Sequence, residues 1–275
     1  MVPETEQLSV TLSREELTFL LYLLKSGPIL GIDPDPLEKY SKEQSALTFA
    51  HAERSLRARD LAKVNQGGTI VVREEILLMV GTCAFPEFLI AAHSFPFAGV
   101  PKRFFWNGRS GVIVAHERSE APLHHLSFLA NRDALLKDIQ LLSRVENPEK
   151  IHFDGFKATN NLLKTVREQV QKSKKKATTA LEKAGASSDS AKEICSLLSG
   201  EHVVTALHSL ISRPEGESIR ESATLLTGKT STWLLENMDD DNLFIKPVSG
   251  EYLNTLFTKW TSPADNWIEI PSIPS

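Results

Sequence analysis

Phe88-Leu-Ile-Ala-Ala-His93, Arg103-Phe-Phe-Trp106, Gly111-Val-Ile-Val-Ala-His116 and Leu123-His-His-Leu-Ser-Phe-Leu129 are four apolar runs set apart by Pro and Gly. Upstream of Pro86, apolar residues recur with a helical period of 3.6. Here the period falls to 2 or the runs are unbroken, which predicts an antiparallel meander. A helix follows. Asn131 is a good N-cap, Asp133 lies in the first turn, and Leu135, Leu136, Ile139 and Leu142 form one apolar face that ends before Asn147-Pro148.

The same order returns near the C-terminus. Ser222 to Leu226, Ser231 to Leu235 and Leu243 to Val248 read as strands, with a turn at Asp239-Asp-Asp-Asn242. Ser249 then caps a helix with Glu251 in its first turn. Leu253, Phe257 and Trp260 stand 4, 8 and 11 positions after Ser249, as Leu135, Ile139 and Leu142 stand after Asn131. Each half thus runs helices, a small meander and one capped helix, which predicts two pseudo-equivalent halves around a shared sheet.

Before the meander, Ser13 precedes Arg14-Glu-Glu16 as a cap, and Leu17, Leu20, Leu21 and Leu24 recur on one helical stripe. Asp33-Pro-Asp35-Pro forces turns. Lys42 to Arg59 reads as a second helix, Leu61 to Val64 and Thr69 to Val72 as strands around a Gly67-Gly68 turn, and Glu74 to Phe85 as a third helix. Between the two meanders, residues 164–183 carry seven basic and two acidic groups, a net of +5. After Gly185-Ala-Ser-Ser188, helices are expected through Ile194, Leu197 and Leu198, and again through Val203, Val204, Leu207, Leu210 and Ile211. The expected organisation is an α+β chain: an N-terminal helical winged-helix-like lobe (1–85), a first sheet-helix unit (86–148), a basic helical connector (149–190), and a second helix-sheet-helix unit with a Pro-rich tail (191–275).

Composition narrows the function. The 275 residues carry a net charge of −4, which excludes a globally basic nucleic-acid binder. With 41% hydrophobic and 24% charged residues, neither wholesale disorder nor a fibrous repeat fits. Cys83 and Cys195 lie in apolar helical patterns without CxxC spacing and read as buried and reduced. The N-terminus is acidic where a secretory signal would be basic. The most apolar stretch, Ile76 to Val100, is interrupted by Pro86, Glu87, His93 and Pro96, short of the roughly 18 apolar residues of a membrane span. A soluble, cytoplasmic protein is expected.

Chemical motifs are sparse. Ala223-Thr-Leu-Leu-Thr-Gly228-Lys229-Thr230 matches a relaxed P-loop, but strand sequence lies on both sides of Gly228-Lys229, so it reads as a hairpin turn. Asp239 to Asn242 lacks the glycine and glutamate of a calcium loop. His124 and His125 point to opposite faces of a strand, and His202 and His208 are off helical zinc spacing, so no metal or cofactor is expected. With no GxSxG or HExxH motif, a non-enzymatic role is expected. Arg54, Arg57 and Arg59, beside a winged-helix-like order, are candidate DNA contacts, although residues 41–64 net only +2. The Lys172-Ser-Lys-Lys-Lys176 run has no interleaved aromatics for base stacking and reads as a solvated helix.

Leu12-Ser-Arg-Glu-Glu-Leu17, Ala52-Glu-Arg-Ser-Leu-Arg-Ala-Arg-Asp-Leu61 ahead of a short strand pair, Phe85-Pro86-Glu87, Trp233-Leu-Leu-Glu236 and Pro247-Val-Ser-Gly-Glu251 carry a further reading. In these residues the chain resembles the EspG-like chaperones of type VII (ESX) secretion, a bacterial family. The resemblance implies an α+β fold of two quasi-symmetric halves. It also implies a protein that binds secreted helical-hairpin effectors in the cytoplasm and covers their aggregation-prone tips. The basic stretch 164–183 and the tail Ser262 to Ser275 depart from that pattern. Independently, Phe95 and Phe97 place two aromatics in a Pro- and Gly-rich connection spanning 94–101, a candidate partner-binding surface. Trp267 and Ile268, with Ile270, form a second candidate in the tail, which equally reads as folding back onto the core.

Overall fold

The computed structural model describes residues 8–32, 39–118, 122–145, 153–212 and 218–261. The first half opens with strand β1 (Ser9–Ser13), helices α1 (Arg14–Leu23) and α2 (Lys42–Ala58), the hairpin β2 (Ala62–Val64) and β3 (Ile70–Val72), and α3 (Glu74–Ala84). The meander follows as β4 (Phe88–Pro96), β5 (Lys102–Arg109), β6 (Val112–Arg118) and β7 (Leu123–Leu129), closed by α4 (Arg132–Ser143). The second half runs β8 (Phe156–Thr159), α5 (Asn160–Val170), α6 (Lys174–Lys183), α7 (Ser188–Ser199), β9 (Val203–Ser212), β10 (Ser218–Thr227), β11 (Thr232–Asn237), β12 (Asn242–Pro247) and α8 (Gly250–Trp260).

Ten strands form one sheet in the order β1-β7-β6-β5-β4-β9-β10-β11-β12-β8, every neighbour antiparallel. The halves meet at β4 and β9, paired from Phe88 with Ile211 to Pro96 with Val203. Outward from that seam, each side passes through its own meander and ends on the strand that opened its half. Those edge strands also start helices: Ser13 caps α1 in a capping box with Glu16, and the Thr159 hydroxyl caps α5. The late caps match too. Asn131 accepts from the Ala134 N–H at 3.0 Å and Ser249 from that of Tyr252 at 3.2 Å. The resulting helices α4 and α8 lie antiparallel, joined by Gln140 to Asn254 at 2.8 Å and by Arg132 to Thr261 Oγ1 at 2.7 Å. The internal repeat is therefore an approximate two-fold within one sheet.

Pleating divides the side chains. Phe88, Ile90 and Ala92 of β4, Trp106 of β5, Leu207 and Ile211 of β9, and Ala223 and Leu225 of β10 pack under α4 and α8 as one core. The opposite face has two separate cores. In the first half, β1, β6 and β7 pack against α1 to α3 through Leu12, Val114 and Leu126. In the second, β8, β10, β11 and β12 pack against α5 to α7 through Leu226, Trp233 and Ile245.

Three expectations require correction. Val203 to Ile211 is strand β9, not a helix. Its burial alternates, with Val203, Thr205, Leu207, Ser209 and Ile211 inward, and the polar Thr205 and Ser209 hide the period of 2 from an apolar count. The stretch 149–190, expected as a helical connector, contains the edge strand β8, whose Phe156 and Ala158 face the core. Phe95 and Pro96, expected in a loop, end strand β4. The lead-in Ser9 to Ser13 is itself the other edge of the sheet, and the Gly67-Gly68 turn joins a separate two-stranded hairpin.

Gly108 on β5 sits opposite Phe88, and a Cβ there would lie 1.9 Å from the fully buried Phe88 ring. Gly108→Ala is expected to destabilise the fold by about 1–3 kcal/mol through overpacking, measured as a lower midpoint in urea unfolding.

Candidate protein-binding cleft

The two helix layers on the second face belong to separate cores. α3 lies over β5 and β6, and α7 packs with Leu226 and Trp233 of β10 and β11. Between them the central strands turn Ala91 and His93 of β4, Val204, Ala206, His208 and Leu210 of β9, and Ser222 and Thr224 of β10 toward a cleft. His208 and Ser222 are exposed and the others half-buried. One side is closed by the turn after α1. Gly31, at φ +93°, approaches Phe105 so closely that a Cβ would meet the ring at 2.5 Å. A left-handed φ with no room for a side chain requires glycine there.

Aromatic side chains stand at both ends. At the end of β4, Phe95 is 48% and Phe97 57% exposed. The Phe97 N–H donates to the His202 carbonyl at 2.8 Å and its ring lies 5.5 Å from the His202 imidazole. Phe95 is paired in the ladder with Val204 and makes an edge contact with His93. At the other end, exposed Phe85 lies beneath the Arg109 guanidinium, 5.2 Å from its ring centre. Burial, reinforced by the charge of Arg103 and by His208, holds His93 below the ordinary imidazole range. The aromatic pair was readable in the sequence. The floor residues His208, Val204 and Ala206 were not, because β9 reads as a helix. The alternation across Val203 to Ile211 was the available signal.

The other candidates sit elsewhere. Arg59, at the end of α2, makes a two-oxygen ion pair with the buried Glu16 at 2.9 and 3.1 Å and donates to the Thr11 carbonyl of edge strand β1 at 2.6 Å. Arg57 pairs along its helix with Glu53, and Arg54 bonds the Ala50 carbonyl. Trp267 and Ile268 lie outside the described residues, as do the Asp33-Pro-Asp35-Pro turn and the Pro-rich tail. Gly228 and Lys229 form a strand-to-strand turn, and the Asp239 carboxylate accepts the Asp241 and Asn242 N–H groups of its own turn. Cys83 and Cys195 are free and buried, and burial raises the Cys83 thiol to about 12. No cluster of three metal-ligating side chains occurs among the described residues, nor any helix long and apolar enough to cross a membrane.

Two quasi-symmetric halves around one antiparallel sheet make an α+β fold similar to that of a solved type VII secretion chaperone. The comparison is with the solved structure of the Mycobacterium tuberculosis type VII secretion system chaperone EspG5 in complex with a PE25-PPE41 dimer. It gives a TM-score of 0.62 over 90% of this chain and 94% of that one, at 14% identity. Neither a protein-family model nor a curated protein sequence matches the chain.

Two buried groups yield tests of structure. Arg59→Ala strands the Glu16 carboxylate without its cation and is expected to lower stability by about 2–4 kcal/mol, read by chemical denaturation. His116 and His124, both buried, share a hydrogen bond of 2.9 Å between β6 and β7. Burial first, then His124 and Arg118, lowers His116 to about 3. Below its ordinary value near 6.5 the unfolded chain takes up a proton that the folded protein refuses. This residue therefore destabilises the fold by up to about 1.4 kcal/mol per pH unit as pH falls from 6.5 toward 3. Melting temperatures over that range are expected to fall less steeply in His116→Gln than in the parent.

Proposed function

We propose that the chain is a non-enzymatic, cytoplasmic adaptor of chaperone type, which seats a helical-hairpin client in the central cleft against Phe95 and Phe97. The observation that carries this reading is the exposed aromatic pair beside uncovered central strands. A sheet covered by helices elsewhere on that face leaves a half-buried apolar floor here and two large rings in solvent, as a recognition surface does. The likeness of fold to a secretion chaperone solved with a protein dimer supports the same class of partner. The engagement of Arg59 with Glu16 and Thr11 gives that side chain a structural task, so the cleft is the better binding surface.

The test is copurification from native cells with and without nuclease, repeated with the double variant Phe95→Ala, Phe97→Ala. A nuclease-resistant helical protein is expected with the parent. The variant is expected to lose it by about 100-fold in affinity, given about 2–4 kcal/mol for central aromatic anchors, with an unchanged thermal melt. Retained client binding would remove the two phenylalanines from the site. A nuclease-sensitive association without a stoichiometric protein would replace the reading with DNA binding.

A further inference from the structure

Charge is unevenly placed in the cleft. On this face of the four central strands the basic side chains are Arg103 and Arg109 of β5, at either end of its stretch beneath α3, and Arg220 of β10, with His93 of β4 and His208 of β9 between them. The remaining facing positions are apolar, Ser, Thr or Asn, and none is Asp or Glu. This occurs in a chain whose overall charge is −4. Nearby carboxylates on the flanking segments are engaged. Glu87 accepts the Ser110 N–H at 3.1 Å, Glu193 accepts the Thr230 and Ser231 hydroxyls at 2.8 and 2.6 Å, and Glu201 faces Lys229 at 3.8 Å.

Register sets Arg103 and Arg220 on opposite sides of the floor, with Arg220 four rungs along the ladder from His93. Arg103 is directly opposite His93, His208 is diagonal to His93 across the seam, and Arg220 is opposite Leu210 on the next pair. Arg103 and Arg220 are exposed cations with no facing carboxylate on these strands, so a partner of opposite sign gains attraction there without displacing an existing ion pair on the floor. The floor between them is apolar, through Ala91, Val204, Ala206 and Leu210, which suits a packed protein segment better than a hydrated phosphate backbone.

We infer, resting on the protein-binding reading above, that the segment held in this cleft is acidic: a helical hairpin whose apolar tip meets Phe95 and Phe97 while carboxylates on its flanks meet Arg103, Arg220 and the two histidines. The apolar contacts hold the tip, and the charges select the partner and speed its capture.

The experiment uses the full chain and three designed helical hairpins that share a Leu-bearing tip and differ only in flanks of Glu, Gln or Lys, with a DNA duplex as a fourth probe. Binding is followed by fluorescence anisotropy at low and high salt. The Glu hairpin is expected to bind about tenfold more tightly than the Gln hairpin at low salt, with the Lys hairpin weakest. The difference is expected to shrink at high salt. Arg103→Glu with Arg220→Glu is expected to reverse the order, and Arg103→Gln with Arg220→Gln to erase it. Both arginines are exposed, so the variants are expected to melt as the parent does. Equal binding of the Glu and Gln hairpins, or persistence of the Glu preference in the charge-reversed variant, overturns the acidic partner and leaves the protein-binding cleft standing. Failure of all three hairpins, or tighter binding of the duplex, overturns both.

Discussion

The ladder between β4 and β9 is the constraint on which the other features depend. Each half contributes five strands ending at β4 or β9, and joining them edge to edge removes one exposed edge from each. The ladder also decides where the helices go. α4 and α8 share a single core across the seam on one face, because the pleat directs Phe88, Ile90, Leu207 and Ile211 there together. On the other face, α1 to α3 and α5 to α7 each belong to their own half. The approximate two-fold therefore closes one side of the sheet at its centre and leaves the other side open.

The parts of the fold that were legible in sequence are those governed by local chemistry. Asn131 and Ser249 announce their helices because a side-chain oxygen beside a free N–H is a short-range requirement, and the apolar spacing behind each cap is the same. The first meander is legible because Pro and Gly separate its runs. Strand β9 was missed for a physical reason. Val203, Val204, Leu207, Leu210 and Ile211 fall on helical spacing, while the inward side of the strand is completed by Thr205 and Ser209, which an apolar pattern cannot count. That one error hid most of the cleft, since its floor is made where β9 lies beside β4. Strand β8 was hidden in the same way, as four residues ahead of a basic helical region.

The candidate arginines show how residue type misleads without geometry. Arg59 has the identity expected of a phosphate contact, yet it neutralises the buried Glu16 and bonds the backbone of edge strand β1. It ties the end of α2 to the rim of the sheet by occupying the Thr11 carbonyl. Phe95 and Phe97 are exposed, as their place in a Pro- and Gly-rich connection leads one to expect. Large rings placed at the end of a central strand remain in solvent because the adjacent helix layers stop short of them.

The seam also dictates an order of assembly. Every pair in the β4–β9 ladder joins residues more than one hundred positions apart, so this contact is among the most non-local in the molecule and forms slowly relative to the hairpins on either side. On the ribosome, the first meander emerges complete while its β4 edge still has no neighbour, and the cleft has only half a floor. The floor of the central face is therefore completed in a single step, when β9 docks. A truncated or stalled chain exposes an unpaired strand beside its two phenylalanines, the kind of sticky edge that draws nascent polypeptides into aggregates.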